Sequence, residues 1–131
     1  MEHLQSVLED TFSANFVAYY RAHIAHINIE GRHFLQDHKL LQKIYESLQE
    51  NIDTLGEKIR SCRAFVPRSL QNVVGVSLLA DTDVEGTADE MLEMVEDSLE
   101  NLVDQYKELY EAADVDGATR WQQFKNVTWP T

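Results

Sequence analysis

The chain has 131 residues, enough for one domain with a buried core and too few for two. Its formal net charge of −12 argues against binding to nucleic acid, because phosphate contacts need clustered cations, and it favours the attraction of metal cations. The single cysteine, Cys62, excludes an internal disulfide. No stretch approaches the roughly twenty apolar residues that span a bilayer, and the start MEHLQSVLED lacks a signal-peptide pattern, so we expect a cytoplasmic protein.

The first predicted helix runs from the start of the chain to about Ile29. Gly31 follows, where the backbone can turn, so the helix is expected to stop there. His26 lies near the end of this helix. The residues that mark one face of this helix recur about every 3.6 positions, and they are Leu4, Val7, Leu8, Phe12, Phe16, Tyr19, His23, Ile24 and Ile27.

The second predicted helix fades near Cys62 and is closed by Pro67. His38 lies in its first turns, and the pair Asp53 and Glu57 lies further along it. Spacings of three and four residues alternate at His38, Leu41, Tyr45, Leu48, Ile52, Leu55 and Ile59.

A linker of about twenty residues, 67–86, separates the second helix from the third, and it is long enough to cross the length of a bundle. A short helix is predicted on it over Ser69 to Val74. The third helix begins with a capping box, Thr87 to Glu90, and ends before Asp116-Gly117. A fourth helix starts after Gly117, but its pattern dissolves after about Arg120, so we expect it to be shortened. Residues 1–131 therefore predict one all-α domain, a four-helix bundle of ferritin-like topology.

Two histidines and two carboxylates in this arrangement predict a metal site. Imidazole nitrogens and carboxylate oxygens together are a ligand set that ferrous iron accepts. The i,i+4 spacing places Asp53 and Glu57 on one helical face. Fifteen residues of helix, however, separate His38 from Asp53 by about 22 Å. If His26, His38, Asp53 and Glu57 share metal, two copies of the chain must share it.

The segments HINIEGRHFLQDH and YESLQENIDTLGEKI resemble the Dps proteins, the dodecameric miniferritins, and the likeness covers about residues 4 to 117. The resemblance implies a dinuclear ferroxidase site at a two-fold dimer interface, with the histidines from one subunit and the carboxylates from its partner. It further implies that iron is oxidised with hydrogen peroxide or oxygen and stored as ferric mineral in a shell of twelve subunits. Six positions match the family pattern with the same spacing: His26, Gly31, Phe34, His38, Asp53 and Glu57.

Three departures from the family pattern bear on function. Many members have Trp directly after the first histidine, where this chain has Ile27. The first twenty residues contain no Lys or Arg, so the DNA binding of some members is not expected here. The shortened fourth helix leaves open an alternative function, a non-catalytic shell or nucleoid-associated protein with impaired mineralisation.

Each of these residues also has a plainer interpretation. Each histidine alone is more often an interfacial residue, and acidic i,i+4 pairs alone are usually a solvated face; the joint spacing favours ligands. His23 lies one turn before His26, and the sequence leaves open whether it supports the metal site or only packs against its neighbours. Asp81 to Gly86 match the first half of an EF-hand loop, but position 12 is Leu92, which argues against a calcium site.

Overall fold

Residues 2–115 are described by a computed structural model. Within these residues the chain forms four helices: α1 (Glu2–Asn28), α2 (Phe34–Ser61), α3 (Leu70–Val76) and α4 (Ala88–Val115). Helices α1, α2 and α4 are long, and α3 is a short helix on the crossover. No strand occurs within residues 2–115. The prediction of three long helices with a helical turn on the crossover is confirmed. The predicted shortened fourth bundle helix falls on residues 117–131, which lie outside the described residues.

The helix boundaries follow from local chemistry that the sequence carries. Gly31, in the turn between α1 and α2, has φ +115°, a conformation that L side chains rarely adopt. Ser69 caps α3, its hydroxyl accepting from the Asn72 N–H at 3.1 Å. The predicted capping box of α4 is present, because Thr87 N–H donates to Glu90 Oε1 at 3.0 Å and Glu90 N–H donates to Thr87 Oγ1 at 3.2 Å. Hydrogen bonding of the Glu90 carboxyl to Thr87, first to its backbone N–H, lowers the pKa of that carboxyl.

Helix α1 is the centre of the domain and packs against α2, α3 and α4. Its side towards these neighbours carries small buried residues, including Ala18, Ala22 and Ala25, which let the helices approach closely. Large apolar side chains complete the core, and each fully buried one contributes about 1.5–3 kcal/mol relative to exposure. Those with at most 2% exposure are Leu4, Val7, Leu8, Ile29, Leu41, Leu55, Ile59 and Leu109.

Arg21 ties the long crossover to the helices. Its guanidinium donates to Ser98 Oγ of α4 at 2.8 Å, to the Ala80 carbonyl oxygen and to Thr82 Oγ1 at 3.2 Å. Burial lowers the pKa of this guanidinium, and the charge of Asp81 acts in the opposite direction. Residues 80–82 are thereby held against α1 and α4.

An apolar groove of ≈480 Å³ lies between α2 and α4. In a four-helix bundle each helix packs against two others. A helix that packs against both α2 and α4 needs an apolar lining of the kind this groove has. Its main lining side chains are Ile44, Leu48, Leu99, Leu102, Val103 and Tyr106. Of the helices in residues 2–115, none is long and apolar enough to cross a membrane.

Candidate metal centre

His26 and His38 face each other across the α1–α2 turn. His26 lies in the last turn of α1 and is 8% exposed, while His38 lies in the second turn of α2 and is half-buried. The reversal at Gly31 brings them together, and their rings stack with centroids 3.7 Å apart and planes at 18°. The structure thus joins the two predicted nitrogen ligands within one chain.

Reciprocal hydrogen bonds hold the two imidazoles. His26 Nδ1 lies 2.7 Å from the His38 carbonyl oxygen, and His38 Nδ1 lies 2.8 Å from the His26 carbonyl oxygen. A carbonyl oxygen can only accept, so each Nδ1 carries the hydrogen and donates it. In the neutral ring the Nε2 lone pair is then available, which is the usual arrangement of a metal-binding histidine oriented by a backbone carbonyl.

Aromatic rings flank the histidine pair on both sides. Phe34, 41% exposed, stacks on His38 with centroids 5.0 Å apart. Tyr45 meets His26 edge-on at 5.0 Å, and it also stacks on His23 at 3.9 Å with planes at 5°. These contacts restrict the orientation of both imidazoles. His23 therefore contacts both the core-flanking tyrosines and the His26 ring, whose centroid is 6.0 Å from its own.

Asp53 and Glu57 are exposed on α2, one turn apart. Asp53 lines a groove between α1 and α2, together with Phe16, Tyr19, Glu46, Gln49, Glu50 and Ile52. Beside Glu57, burial lowers the pKa of Lys58, while the charges of Cys62 and Glu57 raise it. Within residues 2–115, no three His, Cys, Asp or Glu side chains lie close enough to hold a metal ion. One chain therefore brings the histidines together but not the histidines with the carboxylates.

Tyr19 and Tyr45 are neighbours of the site that the sequence reasoning did not identify. Each lies seven residues, or two helical turns, from a histidine: Tyr19 precedes His26, and Tyr45 follows His38. A seven-residue spacing returns a side chain to nearly the same helical face, so this signal was present in the sequence. Both tyrosines also fit the apolar pattern of their helices, which hides this second signal.

Residues 5–124 match the family described as ferritin-like domain. The chain belongs to this ferritin-like family. The match ends later than the resemblance to Dps proteins that the motifs show, at residue 124 instead of about residue 117. It covers all four candidate ligands of the site.

One known relative resembles this ferritin-like chain in both sequence and structure. A stretch of 65 residues is 34% identical to antigen TpF1 of Treponema pallidum (strain Nichols), covering 50% of this chain and 37% of the antigen's length. The crystal structure of TpF1 superimposes with a TM-score of 0.82 at 26% identity, over 94% of this chain and 80% of that chain.

Two further solved structures have the same fold. Dps from Staphylococcus aureus matches with a TM-score of 0.84 at 20% identity, over 96% of this chain and 85% of that one. Dps from Listeria monocytogenes gives 0.83 at 19% identity, over 92% and 80%. The all-α, Dps-type bundle predicted from the sequence is confirmed.

Proposed function

We propose that this chain oxidises ferrous iron at a site shared by two copies, with His26 and His38 from one copy and Asp53 and Glu57 from the other. The observation that carries the proposal is the reciprocal bonding of the histidines, which commits both Nδ1 hydrogens to carbonyl oxygens and leaves both Nε2 lone pairs for a cation. Membership of the ferritin-like family supports it.

The donor set suits iron as a substrate. Neutral imidazoles bind the ferrous ion, and two carboxylates add negative charge that favours the more highly charged ferric product. The oxidant is hydrogen peroxide or oxygen, and the ferric mineral is stored in a hollow shell of twelve copies. Oxidation and storage together keep ferrous iron and peroxide from producing hydroxyl radical.

The pairing of two copies follows from the positions along α2. An isologous dimer places equivalent surfaces together, and a two-fold axis perpendicular to α2 makes the two α2 helices antiparallel. An axis that crosses α2 midway between His38 and Asp53, beside Tyr45 and Glu46, brings the histidine end of each copy to the carboxylates of the other. Exposed side chains of this stretch, including Glu46 and Glu50, are available for the contact.

A mixing experiment tests the shared site. His38→Ala and Asp53→Ala are each expected to abolish the fast rise of ferric absorbance after ferrous iron and peroxide are mixed. When the two variants are co-expressed, half of the dimers pair one with the other and contain one intact site, so about a quarter of the sites should regain activity. The matched control is the double variant His38→Ala/Asp53→Ala, which should show no recovered oxidation activity.

The outcomes separate the two candidate functions. Fast oxidation that survives both single substitutions, or co-expression that restores nothing, contradicts the shared site. A wild-type chain that assembles but oxidises iron no faster than buffer indicates the alternative, a non-catalytic shell. Light scattering on a sizing column tests the storage compartment, for which a mass of about twelve chains is expected; a dimer would retain the site without the compartment.

A further inference from the structure

A continuous series of rings leads away from the histidine pair along the α1–α2 face. The His26 ring meets Tyr45 with centroids 5.0 Å apart, and Tyr45 lies flat on His23 at 3.9 Å. The Tyr19 ring meets Tyr45 at 6.3 Å and His23 at 5.5 Å. Each ring is thus in contact with the next, from the candidate metal ligands to a tyrosine two turns earlier on α1.

The last pair in this series has the chemistry of a hydrogen-bonded redox couple. The Tyr19 hydroxyl oxygen lies 2.8 Å from His23 Nδ1. In the tautomer that carries its hydrogen on Nε2, His23 accepts the phenol proton at Nδ1. A phenol is much easier to oxidise when its proton can leave at the same time along a preformed hydrogen bond, because the high-energy cation radical of the protonated phenol is avoided.

We propose that Tyr19 is an electron donor to the iron site, with Tyr45 as the bridging ring and His23 as the acceptor of the Tyr19 proton. The inference rests on the proposed oxidation of ferrous iron. Tyr19 supplies an electron when a site holds a single ferrous ion, because hydrogen peroxide takes two electrons and one ferrous ion provides only one. The Tyr19 radical then replaces a hydroxyl radical as the product.

The step balances with hydrogen peroxide as the named oxidant. One ferrous ion becomes ferric, giving one electron, and Tyr19 gives the second electron and becomes a neutral tyrosyl radical. The O–O bond of peroxide breaks and yields two hydroxide ions. The phenol proton moves to His23 Nδ1, so that charge is conserved on both sides. Tyr19 and His23 act on the iron only through Tyr45 and His26 and do not bind it themselves.

Freeze-quench electron paramagnetic resonance tests the inference on the full chain, mixed with one ferrous ion per site and excess peroxide. The wild type is expected to give a tyrosyl radical, and Tyr19→Phe, which keeps the ring and its stacking, is expected to lose it. His23→Leu removes the hydrogen bond and should lose the radical or raise its largest principal g value, gx. The matched control is Tyr20→Phe, because Tyr20 is the next residue along α1 and is 55% exposed.

The ferric signal of the same wild-type samples separates this inference from the proposed function. Fast ferric formation with a radical that vanishes in Tyr19→Phe and persists in Tyr20→Phe supports the donor role. Fast ferric formation without a tyrosyl radical, or a radical that persists in Tyr19→Phe, overturns it and leaves the iron site standing. Wild-type chain that forms no ferric iron faster than buffer overturns both.

Discussion

The two ends of α2 differ in how far they are organised within one chain. At the N-terminal end, His38 is stacked between His26 and Phe34 and is held by a hydrogen bond at its Nδ1. Towards the other end, Asp53 and Glu57 are exposed on the helix surface. The nitrogen half of the proposed site is therefore ordered before iron arrives, and the oxygen half depends on assembly. This difference predicts that substitutions at the two ends have different consequences.

The largest expected effect is on metal affinity at the histidine end. His26→Ala removes a ligand and also the ring that stacks on His38, although the His38 Nδ1 bond to the carbonyl oxygen of residue 26 can persist. The affinity for ferrous iron should therefore fall by more than about 100-fold, the upper range for loss of an orienting partner alone. Anaerobic titration calorimetry measures the change. His33→Ala is the matched control, because His33 is exposed in the same turn; an equal loss in both variants would contradict the assignment of His26.

At the carboxylate end, binding should change without any change in stability. Asp53→Asn keeps the size of the side chain and removes its charge, so ferrous affinity should fall by about 10–100-fold. The free energy of unfolding should stay within about 0.5 kcal/mol, as for most surface substitutions. Glu93→Gln, on the exposed surface of α4, is the control. A large loss of stability in Asp53→Asn would show that this end is organised within the fold after all.

The turn that joins the histidines offers a stability test. Gly31→Ala places a Cβ in open space but at φ +115°, so only backbone strain opposes it, and we expect a loss of about 1–2 kcal/mol. Gly75→Ala also meets open space but lies within helix α3, where alanine is expected to be neutral or to stabilise by up to about 1 kcal/mol. Urea unfolding of both variants checks the contrast. Equal effects would mean that the Gly31 conformation does not restrain the turn.

The smallest effect concerns a carboxylate away from the proposed site. Burial, followed by the charges of Glu108 and Glu9, raises the pKa of Asp10. The folded chain therefore holds this proton more tightly than the unfolded chain, so ionised Asp10 weakens the fold at neutral pH, and the penalty fades as pH falls through the raised pKa.

Asp10→Asn should consequently stabilise the chain at neutral pH by at most about 0.5 kcal/mol, because solvent screens a partly exposed group. The gain should disappear in acid, below the usual carboxyl range. Thermal unfolding at the two pH values measures the difference, with Glu93→Gln as control. A gain that persists unchanged in acid would show that the charge of Asp10 is not its cause.

Most of the fold was predictable because it depends on local patterns. The capping box at Thr87 and Glu90 and the serine before α3 lie where the sequence indicates. Helix α2, in contrast, begins at Phe34, earlier than the apolar pattern from His38 indicates. Its first turn is exposed, so no apolar period marks it. Periodicity reports which face of a helix is buried and says little about the turns that extend beyond the core.

For the candidate site, the sequence predicted four ligands but not their surroundings. Spacing and the resemblance to Dps proteins named His26, His38, Asp53 and Glu57, and helix geometry implied that two copies must share any metal that all four bind. The contacts of Tyr45 with both His23 and His26 could not be derived, because they depend on the separation and rotation of α1 relative to α2. That packing is the sum of many side-chain contacts between the two helices.

The sequence by itself determined where the helices lie, where the chain reverses and which ligand types recur at which spacing. Those properties depend on hydrogen bonds and side-chain periods within a few residues. The tertiary structure decided that each histidine Nδ1 meets the other residue's carbonyl oxygen, and that Arg21 bonds both to Ser98 of α4, 77 residues away, and to Ala80 and Thr82 of the crossover. Such pairs form only when packing brings distant turns together, since nothing in the local chain specifies their distance.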